Sequence, residues 1–469
     1  MRVKLTKKDV VWSYLAQFFS LASGIFILPL VLKLLSTDEI ALNYLIGSLG
    51  AMVALFDFGF APQFGRNITY VFSGAQTIHK TGIQTVESGE EINYTLLLNM
   101  IYTAKAVYFR IALAAFILLS TFGTWYIYEV TNGFQTVDHV VWIWATTNVS
   151  IFLSFYFSYF DSLLIGRGMI KQARISAIIS KATYILFSIT LLLFGFGLLG
   201  VVLSSLASSL IYRYISYRFF YDKEFLEKIS EVKIDKVLSK ELFKKLWHNS
   251  SKLGLVIVSA YAINNLSMFL AGLFLSSEEV ASYGLLIQLV GIISMVSGTL
   301  FSSYNPTFSY LRISNKLSEL LGTFSFTIIV YLLLFIVGSA VLIFLGPIIL
   351  KFIGSNAVLP AVPIMLVYCL VVLLENNHSN FATLIVTKNE VPFFKSSIIA
   401  GFFVAVGDFI ILKYFSFGIM GLILVQGIVQ LGYANWKWPL VVCREFSTNY
   451  FYILKLGVKV MFQKVKAFI

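Results

Sequence analysis

The chain is expected to be an all-α polytopic membrane protein. We read twelve transmembrane helices, arranged as two parallel-repeat six-helix lobes around a central cavity, with both termini cytoplasmic. Three observations predict this. Apolar residues make up 58% of the chain and charged residues only 12%, against roughly 25% charged in soluble domains, and mean hydropathy is +0.84. The basic residues are placed asymmetrically along the apolar runs, and the second half of the chain repeats local patterns of the first.

Taken in order, apolar runs broken by polar or basic punctuation place spans near 11–34, 40–59, 107–127, 140–164, 175–195 and 198–217. A second set falls near 253–275, 281–303, 323–345, 360–386, 397–415 and 418–440. The N-terminal "MRVKLTKK" leads into an apolar run longer than a signal peptide's core, with no small-residue cleavage site, so it reads as an uncleaved first span. With the N-terminus inside, all but five of the 35 Lys and Arg fall in cytoplasmic segments or at their edges. The exceptions are Lys33, Lys351 and Lys413 outside, and Arg110 and Lys181 within spans. Net charge is +12, which here reports orientation rather than affinity for nucleic acid. Cys369 and Cys443 are too few for a disulfide framework.

Four pairs of short matches argue for duplication. "LSTDEIALNYLI" from 35 matches "LSSEEVASYGLL" from 275, and "APQF" from 61 matches "NPTF" from 305. "FDSLLIGRG" from 160 matches "FATLIVTKN" from 381, and "FGLLGVVL" from 196 matches "FGIMGLIL" from 417, the last two pairs sharing an offset of 221 residues. Six spans per half make the repeats parallel, an architecture of transporters with binding sites near the midplane. The expected organisation is therefore an N-terminal lobe (1–217), an amphipathic cytoplasmic linker (218–252), a C-terminal lobe (253–440) and a tail (441–469). In that tail Lys455 and Lys459 lie one turn apart among apolar residues, as in a helix lying on anionic lipid.

Polar groups inside spans are the candidate site. "ENNHSN" supplies Glu375, Asn376, Asn377, His378 and Asn380 in the middle of the tenth span, pointing almost all round a helix, which requires protein or a watery cavity about it. Glu375 and His378 stand one turn apart and are candidates for sharing a coupling proton, while interhelical hydrogen bonding is the plainer role for the asparagines. The 221 offset sets this run against "SFYFSY" in the fourth span, where Tyr156 and Tyr159 are candidates to stack on sugar rings. Lys181, about 10 Å into the fifth span, together with Arg66 and Arg110, could hold a diphosphate. Snorkelling is the alternative for the two arginines. Asp57, Asn264 and Asp408 complete the intramembrane polar set.

The stretch "GIFILPLVLKLLSTDEIALNYLIGSLG", followed by "ALFDFGFAPQFGRNITYVFSGA" from 54 to 75, resembles the start of bacterial O-antigen flippases of the Wzx type. These are polysaccharide transporters of the multidrug/oligosaccharidyl-lipid/polysaccharide (MOP) superfamily, which has a MATE-like fold. Asp57, Pro62 and Arg66 fall on that motif; the later candidates rest on the residues alone. The resemblance implies a carrier, not an enzyme, in the bacterial inner membrane. It would move undecaprenyl diphosphate-linked oligosaccharide of O-antigen, lipopolysaccharide or related polysaccharide biosynthesis to the outer leaflet by alternating access. A polysaccharide polymerase and a chain-length regulator are partners the resemblance implies. Two other readings remain. An ion-coupled multidrug exporter of the same superfamily would favour an acidic cavity, and a polymerase or ligase would need larger outer loops than those near 128–139 and 346–359. No glycine-rich phosphate loop, metal-ligand spacing or nucleophile with a base in register is present. No cofactor is therefore expected, and energy would come from an H+ or Na+ gradient or from consumption of the product.

Overall fold

A computed structural model describes residues 7–78, 91–230, 232–388 and 393–466. The chain is helical throughout the described spans and divides into two compact units, Met1–Tyr261 and Ala262–Ile469. The first holds α1 (Lys7–Leu34), α2 (Thr37–Ala54), α3 (Phe60–Phe72), α4 (Tyr94–Leu118), α5 (Thr124–Val130) and α6 (Val140–Phe157). It continues with α7 (Tyr159–Gly166), α8 (Ile170–Leu193), α9 (Gly197–Phe220), α10 (Lys223–Ser230) and most of α11 (Lys236–Asn264). The second holds α12 (Leu266–Phe274), α13 (Ser277–Ser303), α14 (Asn305–Ile313), α15 (Leu317–Ile353), α16 (Val362–Val386), α17 (Phe394–Tyr414), α18 (Gly418–Gly432), α19 (Ala434–Glu445) and α20 (Tyr450–Lys466).

Among the described residues ten helices are long and apolar enough to cross a bilayer, or eleven if the bent pair Ile257–Asn264 and Leu266–Phe274 forms one span. The expected first span falls in α1, half of whose side chains lie outside the described residues. Two segments differ from the sequence reading in extent. The helix that begins in the expected linker at Lys236 runs on to Asn264, and the expected outer loop near 346–359 is helical as far as Ile353, because α15 continues through Pro347 to a left-handed Gly354 cap.

The same entry device appears in both units. Ser36 accepts from the Glu39 backbone N–H while the Glu39 carboxylate accepts from Ser36, a capping box that starts α2. Ser276 and Glu279 do the same for α13. Glu39 Oε1 also accepts from the buried Leu198 N–H at 2.8 Å, tying α2 to the start of α9. There Gly197 has φ +55°, and its counterpart Gly418, 221 residues on, has φ +52° and stands against Glu279. A left-handed residue that must also admit a carboxylate can hardly carry a side chain.

In the first unit an aromatic core of Phe60, Phe64, Tyr108, Phe160 and Phe220 joins α3, α4, α7 and α9. In the second unit Phe301, Phe308, Phe324 and Trp438 pack about Phe381, the residue 221 after Phe160. The remaining apolar surface, including Trp142, Phe344 and Phe402, stays exposed, as lipid-facing helices require.

Candidate functional site

The site in the first unit is built from hydroxyl pairs between apolar helices. Ser205, Ser208 and Ser209 recur at i, i+3 and i+4 on α9 and therefore share one face. Ser150 on α6 donates to Ser205 at 3.0 Å, Ser154 pairs with Ser209 at 2.5 Å, and Ser180 on α8 pairs with Ser208 at 2.8 Å. In the absence of water such contacts hold helices together. Here they also wall a cavity of about 490 Å³, completed by Asn43, Thr147, Tyr184 and Tyr212. Gly47 and Gly50 on α2 line it too, and a Cβ at either would meet nothing within 4 Å. A mid-helix glycine costs about 1 kcal/mol relative to alanine, and no neighbour fills the space these two leave. Their effect is to keep the cavity open.

Lys181 is the cation of this cavity. It sits near the midpoint of α8, about 16 Å from the helix start, deeper than the sequence reading placed it. Its side chain is exposed to the cavity and its Nζ lies 5.9 Å from the Tyr184 ring. Among the described residues no carboxylate pairs with Lys181, and none lines the cavity.

One turn beyond Ser209, α9 carries Arg213, whose guanidinium lies over Phe157 at 5.3 Å and Tyr217 at 5.7 Å. Lys105 on α4 lies over the Tyr221 ring at 5.1 Å, within electrostatic reach of Arg213. The Tyr217 and Tyr221 rings lie 4.9 Å apart, tilted by 39°, and those of Tyr156 and Tyr159 5.8 Å apart, tilted by 55°. Neither cation has a carboxylate partner among the described residues, whereas Arg167 pairs with Asp222 at 2.7 Å and Arg312 with Glu445 at 2.5 Å. Two positive charges held on aromatic faces, unneutralised among the described residues, could hold an anion.

The second unit carries an acid and an amide where the first carries two serines. Ser154 and Ser205 plus 221 are Glu375 and Gln426, and Gln426 donates to Glu375 at 2.8 Å. Tyr283, within electrostatic reach of both Glu375 and Asp408, donates to Ser267 at 3.1 Å. Asp408 is fully buried, and neither of its carboxylate oxygens has a hydrogen-bond partner among the described residues.

The other residues singled out from the sequence disperse. His378 pairs with Asn435 on α19 at 2.7 Å, so it and Glu375 turn to different helices and do not share a hydrogen bond. Asn376 donates to Ser294, and Asn377 accepts from Tyr450, which are helix-to-helix ties; Asn380 Nδ2 is buried without a partner among the described residues. Asp57 accepts from Tyr108 at 2.8 Å and from the Ala61 N–H at 3.4 Å, holding the turn into α3. Arg66 is exposed and donates to Gln63, Arg110 is exposed, and neither lines the cavity. Asn264 is the last residue of α11, at the bend. The Pro62 side chain lies outside the described residues. Sequence reasoning passed over Lys105, Arg213, the serine pairs and the two cavity glycines. The available signals were "LSSLASSL" from 203, with serines one turn apart, and "IYRYISYRFFY" from 211, with basic residues among tyrosines.

The chain has a MATE-like multi-span helical fold. The chain is similar to a solved structure of the lipid II flippase MurJ in an inward closed conformation. The TM-score is 0.63 at 17% identity, covering 97% of this chain and 91% of that one. It is also similar to an inward-facing multidrug resistance MATE family transporter of the MOP superfamily, with a TM-score of 0.54 at 12% identity, covering 90% of this chain and 93% of that one. No family model matches the sequence, and no curated protein matches it.

Proposed function

We propose that the protein is a flippase that carries an oligosaccharide, linked through a diphosphate to undecaprenol, from the cytoplasmic to the outer leaflet of a bacterial inner membrane. O-antigen or a related surface polysaccharide unit is the cargo. The observation that carries this reading is the pair Lys105 and Arg213, two cations without carboxylate partners among the described residues, set among Tyr156, Tyr159, Tyr217 and Tyr221. A diphosphate diester bears two negative charges, which two cations match, and tyrosine faces suit the sugar rings that follow. Likeness to a lipid II flippase supports the same reading through the fold. A carrier needs no catalytic group, and the cavity beside this pair offers hydroxyls and one lysine rather than a nucleophile with its base. An amphipathic cation, the cargo of a multidrug exporter, would meet Lys181, Lys105 and Arg213 here.

Glu375 and Asp408, two buried acidic groups of the second unit, would bind a coupling H+ or Na+. A polymerase and a chain-length regulator would receive the product.

The test is a deletion strain complemented with wild type, Lys105→Ala or Arg213→Ala at matched protein level. Loss of surface glycan with accumulation of lipid-linked units on the cytoplasmic side is the expected phenotype of the deletion, and each variant should lower export about tenfold or more, the scale of one charge-assisted hydrogen bond. Normal glycan in the deletion, accompanied by drug sensitivity, would favour the exporter instead.

A further inference from the structure

We infer that the Lys181 cavity is a second anion subsite and selects an acidic sugar, a ring bearing one carboxylate, within the carried oligosaccharide. This rests on the flippase reading and deepens it. Among the described residues the cavity holds a single cation, and no carboxylate lines it. Around that cation stand Asn43, Thr147 and three paired serine sets, groups that both donate and accept, as a polyhydroxylated ring requires.

Charge matching separates this subsite from the diphosphate. Lys105 and Arg213 together offer two positive charges for a dianion, whereas Lys181 offers one. A neutral hexose would leave the ammonium without a counter-charge in a membrane interior, which is costly. A hexuronate satisfies the ammonium with its carboxylate and the serines with its hydroxyls. Volume agrees: about 490 Å³ admits a sugar ring with room for its neighbour, and Gly47 and Gly50 leave one wall as bare backbone. Because α9 supplies Ser209 to the cavity and Arg213 to the cation pair one turn away, the two subsites lie in sequence along one helix, about 6 Å apart by helical rise. A glycan attached to its diphosphate could therefore engage both.

The experiment uses the full chain in proteoliposomes with two undecaprenyl diphosphate disaccharides that differ only in whether one ring is glucuronate or glucose. Wild type should move the glucuronate lipid about tenfold faster or more, and Lys181→Met should collapse that ratio about tenfold. Lys181→Arg should retain it, and Lys105→Met should lower both rates without changing it. A ratio near one in the wild type, or a ratio untouched by Lys181→Met, overturns the acidic-sugar inference and leaves the flippase reading standing. If neither lipid moves with wild type, the flippase reading fails, and direct titration of the detergent-purified protein with free glucuronate and glucose decides the subsite. Preference for glucuronate, lost in both Lys181→Met and the cavity-filling Gly50→Leu, would uphold the subsite; equal or absent binding would overturn it.

Discussion

At the scale of single residues, the sharpest contrast is between buried polar groups that have partners and those that do not. Asn376, Asn377 and His378 each find a partner on another helix, and so behave as interhelical ties. Asp408 finds none for either oxygen. A buried acceptor left unmade costs about 1–3 kcal/mol, so Asp408→Leu should raise thermal stability by about that amount. Under the coupling role proposed for Asp408, the same change removes dependence of transport on an imposed H+ or Na+ gradient. A melting curve paired with gradient-driven uptake measures both, and a variant that is less stable yet still gradient-dependent would refute the assignment. Glu375 has its Gln426 bond to lose; Glu375→Gln should therefore keep membrane insertion while slowing or uncoupling transport, and unchanged gradient-driven rates would remove Glu375 from the coupling step.

At the scale of helices, two junctions depend on particular atoms. Glu39→Ala removes the Glu39 half of the α2 capping box, worth about 1 kcal/mol, and strips the Leu198 N–H of its acceptor, worth about 1–3 kcal/mol more. Glu279→Ala removes the capping box of α13, so the expected order in denaturant titration is Glu39→Ala less stable than Glu279→Ala, and both less stable than wild type. Against α15, α20 packs so closely at Gly457 that a Cβ would strike the Ser325 carbonyl. Gly457→Ala should cost about 1–3 kcal/mol through overpacking, read as a lowered melting temperature. The outward face of α20 presents Phe451, Lys455, Val458, Lys459 and Phe462, apolar rings interleaved with cations, as suits the headgroup layer. Hydroxyl pairing is the other device at this scale. Ser150 with Ser205 and Ser154 with Ser209 bind α6 to α9, where apolar contact alone gives little in lipid.

At the scale of the whole molecule, duplication has preserved the scaffold and let the sites diverge. Phe160 and Phe381 occupy equivalent core positions, and Gly197 and Gly418 share a left-handed turn. Yet Ser154, facing Ser209, corresponds to Glu375, and Lys181 corresponds to Phe402. One unit presents a cation among hydroxyls and the other buries carboxylates, a division that suits an anionic cargo in one and a coupling cation in the other. The expected orientation has a direct check. Reporter fusions after Lys466 and before Lys7 should both report cytoplasm, and a split result would break the even span count that the basic residues imply.

Composition and the spacing of basic residues were enough to predict a multi-pass helical chain, because burial in lipid constrains every residue of a span and leaves a signal about 20 residues long. The duplication was likewise legible, since capping boxes, tight turns and core aromatics are short local patterns. Lys181 stood out because a lone cation in an apolar run is rare. What only the tertiary structure decided is which polar groups meet. Ser150 finds Ser205, Glu375 turns to Gln426 and away from His378, and Lys105 comes beside Arg213, more than a hundred residues along the chain. Such pairings depend on how helices rotate and pack against one another, and helical periodicity places a side chain on a face without saying which helix that face will meet.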